Sequence, residues 1–351
     1  MYDYITIYKH GLENISRIYG CDFSNLRNLK VLLYYIVTIF ISPYTKVNFQ
    51  SIYFVNGKSQ RKMQICESCD TIVYRGLCYD KLDELWSFNT FLCKIGFLKR
   101  VTLFLKSLLI FKKNKLVNFA SWLEFCYILR FLQITKIERV VSRGHYDEIS
   151  TWLGDLSKEL GFKFVIYQHG IVSKELIIPH RIYCSDLYAF DNYSQQCFSK
   201  NYVEREFCKF HLRPFQSNIN FDIIRRKEGY LYIGLAEQVN SKWVKMIIEE
   251  IRKLKRKIIF VIMLHPFSHN KYIGDDIILM PDKKYFNLDA IITYNSTLLL
   301  DYYSKGYSNG IFFTDEKSID CFRDYPFIFV SDVSLINNYL VYRFADSNGM
   351  S

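Results

Sequence analysis

The sequence lacks the short motifs from which an activity can often be read directly. Its 351 residues contain no G-x-x-x-x-G-K-[ST] loop, no G-x-G-x-x-G turn and no G-x-S-x-G elbow. These absences exclude a P-loop nucleotidase, the dinucleotide fingerprint and an α/β-hydrolase nucleophile. Any activity must therefore be inferred from polar residues placed elsewhere in the pattern.

A long hydrophobic run is also missing. The longest, residues 31–41, is far shorter than the roughly 20 apolar residues of a membrane-spanning helix. The start, Met1-Tyr-Asp-Tyr, has neither the basic residues nor the cleavage site of a signal peptide. We therefore expect a cytoplasmic protein, or one bound peripherally to the cytoplasmic face of the inner membrane.

Metal-binding patterns are scarce. Of the ten cysteines, only Cys66 and Cys69 form a close pair, and no second pair or His-x-His completes a zinc site. We interpret them as reduced thiols, with a redox motif as the less favoured alternative. The acidic pair Asp275-Asp276 has no surrounding ligand pattern, so we predict no metal and no bound cofactor.

The chain is rich in hydrophobic residues and carries a large positive charge. Half of its residues are hydrophobic, which predicts a folded protein, and its length of 351 residues predicts two domains. Its net charge of +11 predicts an affinity for polyanions. Residues 97–116 concentrate this charge, because they include six Lys or Arg residues and no acid. Apolar residues at helical spacing predict a basic amphipathic helix there, with an apolar face formed by Phe97, Val101, Phe104, Leu105, Leu108 and Phe111. Such a helix either lies on an anionic membrane or packs normally with a solvated basic face, and the net charge favours the membrane.

From residue 135 onward, apolar strands alternate with amphipathic helices. This alternation predicts two α/β domains with parallel sheets whose polar strand ends face a central cleft. The polar break Arg225-Arg-Lys-Glu-Gly229 predicts the boundary, giving domains 1–224 and 225–351.

Two strand ends in the second domain carry candidate binding residues. The apolar run 258–264, preceded by Lys257, ends at His265-Pro266, which would leave the imidazole at the carboxyl edge of the sheet, where ligands bind in open α/β folds. The strand 290–294 leads into Asn295-Ser296-Thr297 at the start of a helix, a setting that suits a phosphate group. The alternatives are an ordinary strand end and an ordinary helix cap.

Two strand ends in the first domain carry candidates for proton transfer and binding. His145, Asp147 and Glu148 follow one strand and offer an imidazole and two carboxylates as a general base. A helix N-cap is the alternative for the two acids. The next strand ends at Gln168-His169-Gly170, where the glycine would let a ligand approach the backbone.

Taken together, the His-Pro step, the Pro281-Asp282 step and the Ser296-Thr297 pair resemble the bacterial sialyltransferases of GT-B fold. These are the lipooligosaccharide sialyltransferase and polysialyltransferase types, and capsule Kdo transferases share the His-Pro and often a Gln-His-Gly. The resemblance covers about residues 137–315. It implies two Rossmann-like domains, a CMP-sugar donor such as CMP-Neu5Ac, and no metal.

The resemblance also implies roles for individual residues. His265, Ser296 and Thr297 would bind the CMP phosphate, Asp282 the ribose hydroxyls, and Gln238 the nucleotide. Asp147 or Glu148 would deprotonate the acceptor hydroxyl, but Ile149 stands where some members have a glycine after the acidic pair, so His145 remains an alternative base.

We therefore expect a glycosyltransferase that moves sialic acid, or a related nonulosonic acid, to a lipid-linked bacterial surface glycan such as O-antigen, lipooligosaccharide or capsule. Its other expected partner is the anionic inner-membrane surface, not nucleic acid. The alternatives are a CMP-Kdo or CDP-glycerol transferase of the same fold and, from a different class, a non-catalytic basic protein that binds membranes or nucleic acid.

Overall fold

The computed structural model describes most of the chain in two compact units, residues 1–213 and 214–351. The described residues are 4–19, 33, 36–37, 39–40, 51–56, 71–75, 95–114, 119–144, 147–217, 221–237, 242–264, 270–280, 284–285, 287–294, 296, 298–314, 322 and 324–347.

The first unit is built on a six-stranded parallel sheet in the order β2-β1-β3-β4-β5-β6. Every pair of neighbouring strands is parallel. The strands are β1 (Ser51–Asn56), β2 (Thr71–Arg75), β3 (Arg139–Ser142), β4 (Lys163–Tyr167), β5 (Asp186–Ala189) and β6 (Lys209–Leu212). The predicted parallel sheet of this domain is confirmed.

Helices cover this sheet and form an aromatic core. They are α1 (Tyr4–Tyr19), α2 (Phe97–Asn114), α3 (Phe119–Thr135), α4 (Glu148–Leu160) and the short α5 (Asn192–Cys197), which is followed by a π-helical turn (Phe198–Tyr202) and a 3-10 turn (Arg205–Phe207). Trp152 of α4 stacks on Tyr8 of α1 at 5.7 Å between ring centroids, and its indole N–H donates to the Tyr8 carbonyl at 3.1 Å. As predicted, α4 ends at Gly161, whose φ of 79° is the left-handed conformation that glycine adopts easily.

The second unit has its own six-stranded parallel sheet, in the order β10-β9-β8-β12-β13-β14. Its strands are β8 (Leu231–Ala236), β9 (Ile258–Met263), β10 (Ile277–Met280), β12 (Ala290–Tyr294), β13 (Gly310–Phe313) and β14 (Ile328–Val330). Counted within the unit, this order is 3-2-1-4-5-6, which is the order of a Rossmann fold. A separate two-stranded parallel pair joins β7 (Phe221–Asp222) to β11 (Lys284–Tyr285).

Among the described residues of this unit, three helices lie beside the second sheet: α6 (Lys242–Arg252), α7 (Leu298–Tyr303) and α8 (Ser334–Ser347). All six residues of β9 are buried, as expected of a strand covered on both faces. Residues 214–224 belong to this unit, because Ser217 donates to Asp301 at 2.6 Å and the Ile224 N–H donates to Asn287 at 2.8 Å. The predicted boundary at residue 225 lies beyond this segment.

Helix α2 confirms the predicted helix, but the predicted apolar face is wrong in part. Leu105 and Leu108 are exposed, whereas Arg100 and Ser107 are buried. The reason is the position of α3: the Tyr127 hydroxyl donates to the Arg100 carbonyl at 2.8 Å and the Trp122 indole N–H donates to the Ser107 carbonyl at 3.2 Å. Of the helices in the described residues, none has the length and apolar character needed to cross a bilayer.

Candidate active site

The strand order of the second unit defines a ligand-binding edge. The chain runs from β8 through β9 to β10 on one side of the sheet and then crosses to β12 on the other side of β8, so the topological switch point lies between β8 and β12. Open α/β sheets bind ligands at this point, outside the carboxyl ends of the strands. The carboxyl ends of β9, β8 and β12 lie side by side there, because the three strands are adjacent and parallel.

A buried carboxylate stands at this edge. Glu237 directly follows β8 and is 5% exposed. One of its oxygens accepts from the Asn270 amide at 2.7 Å and from the Tyr272 hydroxyl at 2.6 Å. Its N–H donates to the Met263 carbonyl at 3.0 Å, which joins the ends of β8 and β9. Sequence reasoning missed Glu237, although an acid at the end of the first strand of a Rossmann domain was a usable signal.

Ser296 lies at the same edge, between β12 and α7. Its hydroxyl accepts from the N–H of Leu298, the first residue of α7, at 3.2 Å. Beside it, Tyr294 at the end of β12 stacks with Trp243 of α6 at 5.7 Å. Ser296 therefore lies close to the switch point, hydrogen-bonded to the first residue of α7.

The other residues predicted in this domain lie outside the described residues. They are Gln238, His265, Pro266, Asp282, Asn295 and Thr297. The described chain reaches Glu237, Leu264 and Ser296, which are the sequence neighbours of four of them. Their roles stay predictions.

In the first unit, the carboxyl ends of β3, β4 and β5 are also adjacent, and Gln168 connects two of them. The Gln168 amide donates to the Gly170 carbonyl at 2.9 Å and to the Ser194 hydroxyl at 3.0 Å, while its carbonyl oxygen accepts from the Phe190 N–H at 2.8 Å. Gln168 is 2% exposed. Its side chain thus braces the loops after β4 and β5.

His169 is held against the end of β3. Its Nδ1 bonds to the Arg143 carbonyl, which can only accept, so Nδ1 carries the proton. Burial and the positive charge of Arg143 lower the pKa of His169 to about 4. The imidazole is therefore neutral at physiological pH.

Asp147 caps helix α4, as the alternative interpretation of this acid predicted. Its carboxylate accepts from the Ser150 N–H at 2.7 Å. Its second oxygen lies against Gly144, where an added Cβ would approach it to 2.2 Å. Asp147 keeps part of its surface accessible, so capping does not withdraw it from solvent.

Glu148 has different surroundings from Asp147. It is 4% exposed, and its negative charge is among the causes that raise the pKa of the Tyr8 hydroxyl on α1, after burial. Its carboxylate is therefore close to the helical layer of the unit. His145, the third candidate base, lies outside the described residues.

A cavity of about 420 Å³ in the first unit lies apart from these strand ends. It is bordered by α1, α4 and the segment 179–181, where the rings of His10 and His180 stack at 3.9 Å. His10 pairs with Asp155 at 2.9 Å and His180 with Glu13 at 2.5 Å. Among the described residues, no group of three or more His, Cys, Asp and Glu side chains could hold a metal ion.

Comparison with known proteins gives no family model that matches this chain and no curated protein that matches it. Solved structures do match. The glycotransferase of kitacinnamycin is 7% identical and superposes with a TM-score of 0.51, covering 86% of this chain and 91% of its own. The calicheamicin glycosyltransferase CalG4 follows at 10% identity, with a TM-score of 0.46 and coverage of 86% and 91%. The lipopolysaccharide outer core galactosyltransferase WaaB has 12% identity, a TM-score of 0.44 and coverage of 86% and 92%.

The fold of this chain is therefore of the GT-B type, with two Rossmann-like α/β domains. At 7% identity, the likeness to the kitacinnamycin enzyme establishes the fold and not the activity. The predicted fold class is confirmed.

Proposed function

We propose that this protein is a glycosyltransferase that moves sialic acid, or a related nonulosonic acid, from a CMP-sugar to a lipid-linked bacterial surface glycan. Donor binding is assigned to the second unit and acceptor activation to the first. The proposal combines the GT-B fold with the strand-end residues that resemble those of GT-B sialyltransferases.

The supporting observation is the strand order of the second unit. From the adjacent carboxyl ends of β8, β9 and β12, the sequence continues into Gln238, His265 and Ser296, respectively. Three residues singled out from distant parts of the sequence are therefore expected at one edge, beside the switch point where Rossmann folds bind nucleotides.

The chemistry proposed for this edge is stabilisation of the leaving nucleotide. As the acceptor oxygen bonds to the anomeric carbon of the sugar, the C–O bond between sugar and phosphate breaks and CMP departs as a phosphate monoester, so negative charge develops on its phosphoryl oxygens. His265, Ser296 and Thr297 would donate hydrogen bonds to these oxygens, and donors placed in advance at a developing charge lower the barrier. Asp282 would accept from the ribose hydroxyls. As the resemblance implies, the reaction would need no metal.

Asp147 is our choice for the general base in the first unit. Of the three candidates, Glu148 is buried beside the helical layer, whereas Asp147 is partly accessible at the end of β3. Removing a positioned base lowers the rate roughly 10²–10⁴-fold. Asp147→Asn should show this loss with little change in stability, because asparagine is also a good N-cap.

The matched control is Asp147→Ala, which removes both the base and the cap. It should lose activity equally and cost about 1 kcal/mol of stability in addition. If Asp147→Asn retains full turnover and His145→Gln does not, the base is His145 and this assignment is wrong.

The donor is tested by incubating the protein with CMP-Neu5Ac, CMP-Kdo, CDP-glycerol and a UDP-sugar, and by measuring released nucleotide. We expect release from CMP-Neu5Ac that is lost in His265→Ala and lowered in Ser296→Ala. The matched control is Ser308→Ala, because Ser308 is exposed and precedes β13 at the amino edge of the same sheet. Release from CMP-Kdo or CDP-glycerol alone would redirect the assignment to that donor, and turnover of the UDP-sugar alone would refute it.

A further inference from the structure

Helix α2 presents a row of leucines to solvent. Leu98, Leu105 and Leu109 are 78%, 53% and 61% exposed. At 3.6 residues per turn, these positions fall on one stripe of the helix. The opposite side, with Arg100 and Ser107, is buried against α3. The packing of the unit therefore leaves this leucine stripe of α2 exposed.

A second apolar segment adjoins this row. Among the described residues between 33 and 40, Leu33, Val37 and Phe40 are 54%, 53% and 49% exposed, at spacings that again follow one side of a helix. The Phe40 ring contacts that of Phe97, the first residue of α2, at 6.2 Å between centroids. We call these six residues, Leu33, Val37, Phe40, Leu98, Leu105 and Leu109, together with Phe97, the apolar patch.

Lysines flank the patch on one side. Lys99 and Lys106 are exposed and each follows a leucine of the row by one position, about 100° around the helix. The sequence of residues 97–116 contains no acid that could neutralise them. An exposed apolar stripe bordered by lysines is complementary to a surface that is apolar inside and negatively charged outside.

We propose that the apolar patch is a docking surface for an anionic lipid bilayer, with the leucines inserted between the acyl chains and the lysines on the phosphate groups. Charge complementarity selects this occupant. A second copy of this chain would bring a second positive charge to the same surface, since the net charge is +11. The proposal does not depend on the proposed function, although it would bring the enzyme to a lipid-linked acceptor.

The test is co-flotation of the full chain with phosphatidylcholine vesicles that contain or lack phosphatidylglycerol. We expect binding to the anionic vesicles only, weakened by salt. Lys99→Glu/Lys106→Glu should lower the partition coefficient at least about tenfold, since each basic residue near such a surface contributes roughly a fivefold factor. Leu98→Glu/Leu109→Glu should lower it at least about as much, because it removes two apolar side chains from the bilayer and adds two acids. All four positions are exposed, so the unfolding midpoint should not move.

Matched controls come from the second unit. Ile273 is 92% exposed, so Ile273→Glu introduces an acid at an equally accessible apolar residue. Lys242→Glu/Lys245→Glu reverses two exposed lysines on α6. Both should bind vesicles like the unchanged protein. Equal binding to neutral and anionic vesicles, or wild-type binding by Leu98→Glu/Leu109→Glu, would overturn the proposal.

Light scattering tests whether the apolar patch instead binds a second copy of the chain. A dimer that dissociates in Leu98→Glu/Leu109→Glu, without vesicle binding by the unchanged protein, would assign the patch to a second copy and refute the lipid. Nucleotide release in the absence of vesicles should be the same for all variants. Loss of vesicle binding and loss of donor turnover are therefore independent results.

Discussion

A buried carboxamide has two N–H donors and a carbonyl acceptor to satisfy. In Gln168 these groups meet Gly170, Ser194 and the Phe190 N–H, all within 3.0 Å. The sequence suggested a ligand contact because Gln168 ends a strand. The pattern cannot tell a residue that binds a ligand from one that ties two loops, since two of its partners, Phe190 and Ser194, lie more than 20 positions away.

Replacing Gln168 by alanine should therefore reduce stability and not ligand affinity directly. The Phe190 N–H and the Ser194 hydroxyl would lose a buried partner, at about 1–3 kcal/mol for each unsatisfied group. Urea unfolding measures this cost. Gln196→Ala is the matched control, because Gln196 is exposed on neighbouring α5 and should change stability by less than about 0.5 kcal/mol. Unchanged stability in Gln168→Ala would show that the three bonds do not brace the loops.

His169 makes the fold sensitive to acid. Its pKa is about 4 in the folded protein and 6.5 ordinarily, so between these values the unfolded chain binds the additional proton. The contribution of this group to stability should then be complete above pH 6.5 and fall as the pH drops towards 4, by about 3 kcal/mol. His169→Asn should remove this contribution, since its amide can replace Nδ1 as donor to the Arg143 carbonyl and does not titrate.

The measurement is the free energy of unfolding at several pH values for both proteins. Carboxylates titrate in the same range, so the difference between the two curves carries the result. Parallel curves between pH 4 and 6.5 would mean that His169 is protonated as easily in the folded state as in the unfolded chain.

At the scale of elements, periodicity predicted what amphipathic patterns can predict. The strand ending at His265, the helix ending at Gly161 and the strand 290–294 match β9, α4 and β12 closely. Helix α3 escaped notice because its apolar residues lie all around it, as in a helix buried on every side. The exposed face of α2 was assigned wrongly because it depends on where α3 packs, which is a tertiary property.

The contact between α1 and α4 gives a test at this scale. Alanine in place of a glycine within a helix ordinarily gains up to about 1 kcal/mol. At Gly11, however, an added Cβ would come within 2.2 Å of the Trp152 indole nitrogen and 2.9 Å of the Glu148 carbonyl oxygen. Gly11→Ala should therefore destabilise the protein by about 1–3 kcal/mol. Thermal unfolding shows whether Gly11→Ala lowers or raises the stability. Lys9→Ala, at an exposed position of α1, is the control.

At the scale of the whole molecule, the alternation of strands and helices predicted the parallel sheets, but not their strand order. The order decides which loops share an edge, and it arises from packing that no local pattern contains. It makes the ends of β8, β9 and β12 neighbours, including Glu237, which the sequence had not singled out. The resemblance to sialyltransferases suggests which residues bind the donor. The strand order defines the edge of the sheet on which those residues would act.

Because the strand order defines one edge for the donor, a measurement on the unchanged protein can test the donor site. CMP bound at the switch point should slow amide hydrogen exchange in the loops that leave the carboxyl ends of β8, β9 and β12, which are peptides 237–241, 264–270 and 294–298. Peptides 253–257 and 304–309 precede strands of the same sheet at its amino edge and should exchange at an unchanged rate. The first unit supplies a second internal reference. Protection centred on the amino edge, or on the loops after β3 and β4, would place the nucleotide elsewhere and refute the assignment of His265 and Ser296.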